Sequence, residues 1–114
     1  MDIFENADKI PVGYSGHCYV EKDGAQYWIL NKDSSCSYRL HREDGPATVY
    51  DNGSWVWRRY DKLHRIGGPA CKIKTDNGIE YEYEYWIDGQ KYTEEQYWNH
   101  PLIVEYKFKS ILEN

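Results

Sequence analysis

The sequence predicts a mainly β fold, a meandering antiparallel sheet of about three repeated hairpins closed by a short C-terminal helical segment. Three observations carry this expectation. Turn signals recur at Lys22-Asp23-Gly24, Asp51-Asn52-Gly53, Asp76-Asn77-Gly78 and Ile87-Asp88-Gly89, between segments rich in Tyr, Val, Ile and Trp. That is how hairpins read in a sequence. The stretch His41-Arg42-Glu43-Asp44-Gly45-Pro46-Ala47 returns 23 residues later as His64-Arg65-Ile66-Gly67-Gly68-Pro69-Ala70. A period in this range marks stacked supersecondary units. Finally, Thr93-Glu94-Glu95-Gln96 reads as a capping box, where strand chemistry gives way to a helix start.

Taken in order, the chain divides into units at approximately 12–46, 47–69 and 70–92, with a cap at 93–114, all within one domain spanning 1–114. Trp28, Trp57 and Trp86 follow the first three turns at equal spacing. In the third hairpin, a three-residue loop of Asp76-Asn77-Gly78 sets Ile73 opposite Tyr81 and Cys71 opposite Tyr83. It also sets Lys74 beside Glu80 and Lys72 beside Glu82. A two-residue turn would instead put Lys74 across from Tyr81. The first register is preferred because it pairs opposite charges, each pair contributing roughly 0.2–1 kcal/mol. It places Gly78 in the left-handed conformation. Applied to the other hairpins, it makes Cys18, Ala47 and Gly68 the cross-strand neighbours of the three tryptophans. After the third unit, a short helix is expected from about Glu94 to Trp98, ending before Pro101 because His100 is pushed from the helical region. For Leu102 to Leu112 two readings stay open. Alternation of Val104, Tyr106 and Phe108 with charged residues fits a strand. The Val104, Phe108, Ile111 spacing behind Pro101 fits a helix, which is preferred.

At 114 residues there is room for one modest core. The 14 basic and 19 acidic residues leave a net charge of -5. A groove that tracks phosphates needs an excess of Lys and Arg, so direct nucleic-acid binding is disfavoured and a partner with a basic surface is favoured. The aromatic residues are mostly Tyr and Trp, which suit half-wet positions. Three cysteines, Cys18, Cys36 and Cys71, do not make a disulfide framework. No apolar run resembles a signal peptide or a membrane span, so the expected compartment is a reducing cytosol, with no membrane partner.

The repeated motif has a structural reading. Pro46 and Pro69 cannot donate to a ladder and so open strands. Gly45 and Gly68 free the backbone ahead of them. His41 and His64 hold equivalent places, and Arg42 and Arg65 are placed to stack on Trp faces or hold turn carbonyls. No Cys-x-x-Cys or His-x-x-x-His pairing exists, so no metal, cofactor or catalytic residue is expected. The strongest candidate for partner contact is the strand Ile79 to Tyr85, whose alternation puts Glu80, Glu82 and Glu84 on one face. Cys36 and Tyr38, in and beside the polar insertion Asn31 to Ser37, are the other candidates.

The two copies of His-Arg-x-x-Gly-Pro-Ala, each with a turn and a Trp, resemble a MORN-like hairpin-repeat family that includes YwqK-type antitoxin-like proteins and many small phage proteins. The closing stretch Trp86 to Tyr97 resembles the end of phage members. The resemblance spans roughly Val12 to Tyr97 and implies a meandering antiparallel sheet with a binding role. The resulting expectation is a non-enzymatic, phage-encoded interaction protein that binds and inhibits or redirects a host defence or regulatory protein. Two other readings are an acidic nucleic-acid mimic using the Glu80–Glu84 ladder, and a small hydrolase using the His41 and His64 row.

Overall fold

The computed structural model describes residues 1–35 and 37–113. The chain runs β1 (Asp2–Phe4), a 3-10 turn (Ala7–Lys9), β2 (Gly16–Val20), β3 (Ala25–Leu30), β4 (Arg39–Leu40), β5 (Thr48–Val49) and β6 (Trp55–Val56). It continues with β7 (Arg58–Arg59), β8 (Lys62–Leu63), β9 (Cys71–Lys74), β10 (Tyr81–Ile87), β11 (Gln90–Tyr92), α1 (Glu94–Trp98) and α2 (Pro101–Glu113). The mainly β, antiparallel architecture with its C-terminal helical segment is as expected, and the sheet is open rather than a barrel. Its order is β1-β2-β3-β5-β6-β9-β10-β11, with β4 on β3 and a separate β7-β8 ribbon. One edge departs from the meander, because β1 pairs with β2 in parallel.

Residues directly opposite in a ladder share a face, so the pairings sort the side chains. Cys18, Val20, Ala25, Ile29, Thr48, Val56 and Cys71 fall on one face through successive registers. All are buried. Ile10, Phe4, Tyr14, Tyr38 and Leu40 close over the N-terminal part of this face. The buried Lys32 pins that cover, its Nζ donating to the carbonyls of Ala7 and Ile10. At the far end the helices cover the opposite face of β10, where Tyr97 and Ile103 pack with Ile87 and Tyr85.

The hairpin loops decide the registers. Asp51-Asn52-Gly53 is the expected three-residue loop, with Gly53 at φ +90° and Val49 opposite Trp55. The third hairpin differs. Lys74 lies opposite Tyr81, Ile73 opposite Glu82, Lys72 opposite Tyr83 and Cys71 opposite Glu84. This is the register rejected on charge pairing, reached through a four-residue loop rather than a two-residue turn. Asn77 is the physical reason. Its Oδ1 accepts the N–H of Ile79 at 2.9 Å and of Glu80 at 3.2 Å, drawing Ile79 into the loop. Thr75 N–H then closes the ladder on the Glu80 carbonyl. Gly78 does adopt the left-handed conformation, at φ +70°. These loop hydrogen bonds, at about 0.5–1.5 kcal/mol each, outweigh exposed charge pairs. The first hairpin shifts alike, so Trp28 sits opposite His17 and not Cys18. The shift in the third ladder likewise removes Gly68 as the neighbour of Trp86.

The C-terminal cap follows its sequence signals. Thr93 Oγ1 accepts Gln96 N–H at 3.1 Å and Gln96 Oε1 accepts Thr93 N–H at 3.0 Å, both halves of the capping box. Residues Pro101–Glu113 are helical, the preferred of the two readings. Among the described residues no helix is long and apolar enough to cross a membrane.

Candidate functional site

The two motif copies make the same bonds. Arg42 lies 3.9 Å over the Trp28 ring and Arg65 lies 4.1 Å over Trp57. Each guanidinium also donates through Nη1 to the carbonyl of its own proline, Pro46 at 3.3 Å and Pro69 at 3.0 Å. The curl of the arginine over its own turn explains the glycine. A Cβ on Gly45 would meet Arg42 Cζ at 2.5 Å, and one on Gly68 would meet Arg65 Cζ at 2.9 Å. Strands β5 and β9 then begin just beyond Pro46-Ala47 and Pro69-Ala70.

The histidines serve the next turn along. His41 Nδ1 accepts Tyr60 N–H at 3.0 Å, and the Leu40 carbonyl accepts Asp61 N–H at 2.9 Å. In the second copy His64 Nδ1 accepts Asp88 N–H at 3.0 Å, and the Leu63 carbonyl accepts Gly89 N–H at 2.8 Å. Both turns are two-residue loops with positive φ at each central residue, Tyr60-Asp61 and Asp88-Gly89. The Asp88-Gly89 turn is visible in the sequence. Tyr60-Asp61 is not, since Tyr has no intrinsic preference for the left-handed region, and the external bonds hold it there. Burial lowers the His64 pKa below its ordinary value, with Arg59 adding to the effect and Asp88 opposing it. That keeps Nδ1 free to accept.

The shifted register decides what the open face of the sheet displays. A continuous cross-strand row runs Ile3, Tyr19, Gln26, Val49, Trp55, Lys72, Tyr83. Lys74 and Tyr81 lie beside it on the same face, with Lys72 Nζ 4.2 Å from the Tyr81 ring centroid. These side chains are half-buried or exposed, in contrast to the closed face behind them. Asp2, Glu82 and Glu84 are the carboxylates among the described residues paired in the main sheet. All three share the core side of the ladder. The open face therefore carries cations and aromatic rings with no paired carboxylate among them.

The other sequence candidates are dispersed. Glu80 lies in the loop ahead of β10. Glu82 is exposed. Glu84 is half-buried, accepting from Trp86 Nε1 at 2.9 Å and pairing with Lys91 at 3.4 Å. Tyr38 is half-buried against the Cys18–Ile29 core, which pushes its phenol pKa up. Cys36 lies outside the described residues. Lys72, Lys74, Trp55 and Tyr83 were missed as a set. Their alternation is legible in Trp55-Val56-Trp57 and Lys72-Ile73-Lys74, but which strands share a face depends on the loop. Compared with known proteins, the chain matches no family model, no curated protein and no solved structure.

Proposed function

We propose that this chain is a non-enzymatic protein-interaction module that docks a partner protein on the open face of its sheet. The observation that supports this reading is the sorting of Lys72 and Lys74 onto the Tyr81–Tyr83 face, away from Glu82 and Glu84. Tyr and Trp supply contact area at small entropic cost, and such residues are enriched where interfaces are strong. The sign of the partner's charge changes with the register. The net charge of -5 favours a basic partner at long range, but the docking face itself favours an acidic patch. On the MORN-like resemblance, the chain is phage-encoded and the partner is a host protein. His41 and His64 are given a structural role, since the Nδ1 of each holds a turn.

A pull-down from bacterial lysate tests the reading. The wild-type chain should retain a stoichiometric protein partner. The Lys72→Glu, Lys74→Glu double variant should lose it, and Glu82→Lys on the other face should keep it. Equal capture by all three, or no stoichiometric partner, refutes the proposal.

A further inference from the structure

A second feature lies beside the repeated motif and does not depend on the sheet face. Arg42, Arg59, Arg65 and His64 line one groove of about 230 Å³, floored by Trp57. Two of the guanidiniums are fixed before any ligand arrives, by their Trp stacks and proline carbonyls. Each has five N–H donors. Hydrogen bonds within the described residues engage Nε and Nη1 of Arg42 and Nη1 of Arg65. Arg59 is exposed and makes no side-chain hydrogen bond or ion pair among the described residues. Since His64 Nδ1 accepts from Asp88, the neutral ring carries its proton on Nε2. Against these donors the groove sets one lining carboxylate, Glu43, whose side chain is 69% exposed. Asp44 occupies Arg42 Nε from outside the lining.

A neighbouring trough of about 340 Å³ shares Arg59, His64 and Ile66 with the groove. Leu102 and Tyr106 of α2 give the trough its apolar wall, while its two carboxylates are already engaged, Asp88 with His64 at 3.3 Å and Glu105 with Lys109 at 3.0 Å. A cationic pocket thus adjoins an apolar slot. Within the pocket, three guanidiniums carry more charge than Glu43 and Asp44 neutralise, and their planar forks match the oxygens of a phosphate group. We propose that this composite groove binds a phosphate monoester carried on an apolar or aromatic body, with the phosphate at Arg42, Arg59 and Arg65 and the body against Ile66, Leu102 and Tyr106.

The probe is phenyl phosphate, titrated at constant ionic strength because exposed charges are screened by salt. Inorganic phosphate and benzoate serve as the separate head-group and body arms. Phenyl phosphate should quench Trp57 fluorescence saturably and shift the amide NMR signals of Arg59, His64 and Ile66. It should bind roughly 10-fold tighter than either control, a difference of about 1.4 kcal/mol. Arg59→Gln should weaken it about 10-fold at an unchanged melting temperature, since Arg59 supports no part of the fold. Unaltered affinity in Arg59→Gln overturns the proposal. So does equal binding of benzoate, which would show that any aromatic anion suffices and that the phosphate oxygens are not recognised. Inorganic phosphate binding as tightly as phenyl phosphate removes the apolar half and overturns it too.

Discussion

Tyr97→Phe isolates how the helical cap is joined to the sheet. The Tyr97 side chain is fully buried. Its hydroxyl donates to the Arg65 carbonyl at 2.6 Å and accepts from the N–H groups of Gly67 at 2.9 Å and Gly68 at 3.1 Å. One oxygen therefore serves three backbone groups of the second motif. Phe keeps the ring and its contacts with Tyr85 and Trp98, so almost no cavity term enters. The lost term is hydrogen bonding. A buried group left without a partner costs about 1–3 kcal/mol. Gly68 N–H is the most deeply buried of the three, and the others can recover some solvation. A net loss of about 2–4 kcal/mol follows, against a total stability of roughly 5–15 kcal/mol for a typical domain. Urea unfolding at fixed m value measures it. At about 4 °C per kcal/mol for a chain of this size, the melting temperature should fall by roughly 10 °C. Amide exchange at Gly67 and Gly68 should accelerate before exchange in β2 and β3. Tyr92→Phe is the control, because its hydroxyl meets only the exposed Gln90 among the described residues. A Tyr97→Phe loss below about 0.5 kcal/mol, within the range of ordinary surface substitutions, would refute the assignment of this hydroxyl as the tie.

Thr48 Oγ1 is buried without a hydrogen-bond partner among the described residues, so Thr48→Val should stabilise by about 1 kcal/mol in urea titration; any destabilisation argues against an unpaired hydroxyl there. Lys32→Met should cost about 1–3 kcal/mol by stranding the Ile10 carbonyl and removing one of the two bonds to the Ala7 carbonyl, and limited proteolysis should then cut the N-terminal segment first. Burial pushes the Cys18 and Cys71 thiols up to about 11. In a Cys36→Ser background, neither should react with maleimide near neutral pH until denaturant is added. Burial also raises the phenols of Tyr97, Tyr27 and Tyr14, the last to about 12. A raised folded pKa gives stability that is full below the unfolded value near pH 10 and is lost as pH rises through the folded value. The share of phenolate absorbance that comes from these three should therefore rise together with loss of tertiary structure rather than before it.

What the sequence disclosed was local. The capping box at Thr93, the strand starts after Pro46 and Pro69, and the left-handed Gly53 and Gly78 each depend on a few neighbouring residues. Each was readable without knowing the fold. The registers were not, because two loops take in one residue more than expected, and the third does so through bonds from a single side chain, Asn77. The parallel β1 was hidden for a similar reason. Asp2-Ile3-Phe4 has no turn linking it to β2, and its place is set by a core that only long-range packing assembles. The open face followed the register, so its Lys–Tyr composition was invisible even though every residue of it was in view. The acidic ladder inferred from Glu80, Glu82 and Glu84 shows the same limit. Strict alternation tells which residues of one strand agree in face, but not where the strand begins or what lies across from it.

The motif itself links scaffold and surface. Each His ties its unit to the turn of the next, and each Arg is clamped between a Trp of the preceding hairpin and the carbonyl of its own proline. Such clamping removes rotamer freedom during folding, so a later ligand meets guanidiniums that are already ordered. A single scaffold arginine has most of its edge engaged. Two of them on adjacent units, together with Arg59, which has no side-chain partner among the described residues, line one groove between the units. Repetition alone can thus create a site at a junction from residues whose first role is structural. The two roles separate at Gly68→Ala. The added Cβ would displace Arg65, from 2.9 Å contact, off its Trp57 stack. Folding should weaken by about 1–2 kcal/mol, the size of one cation–π contact and one hydrogen bond. The groove should lose phenyl phosphate affinity by more than Arg59→Gln costs, because both the position and the preorganisation of Arg65 are gone. Loss of stability with unchanged affinity would assign Arg65 to the scaffold alone.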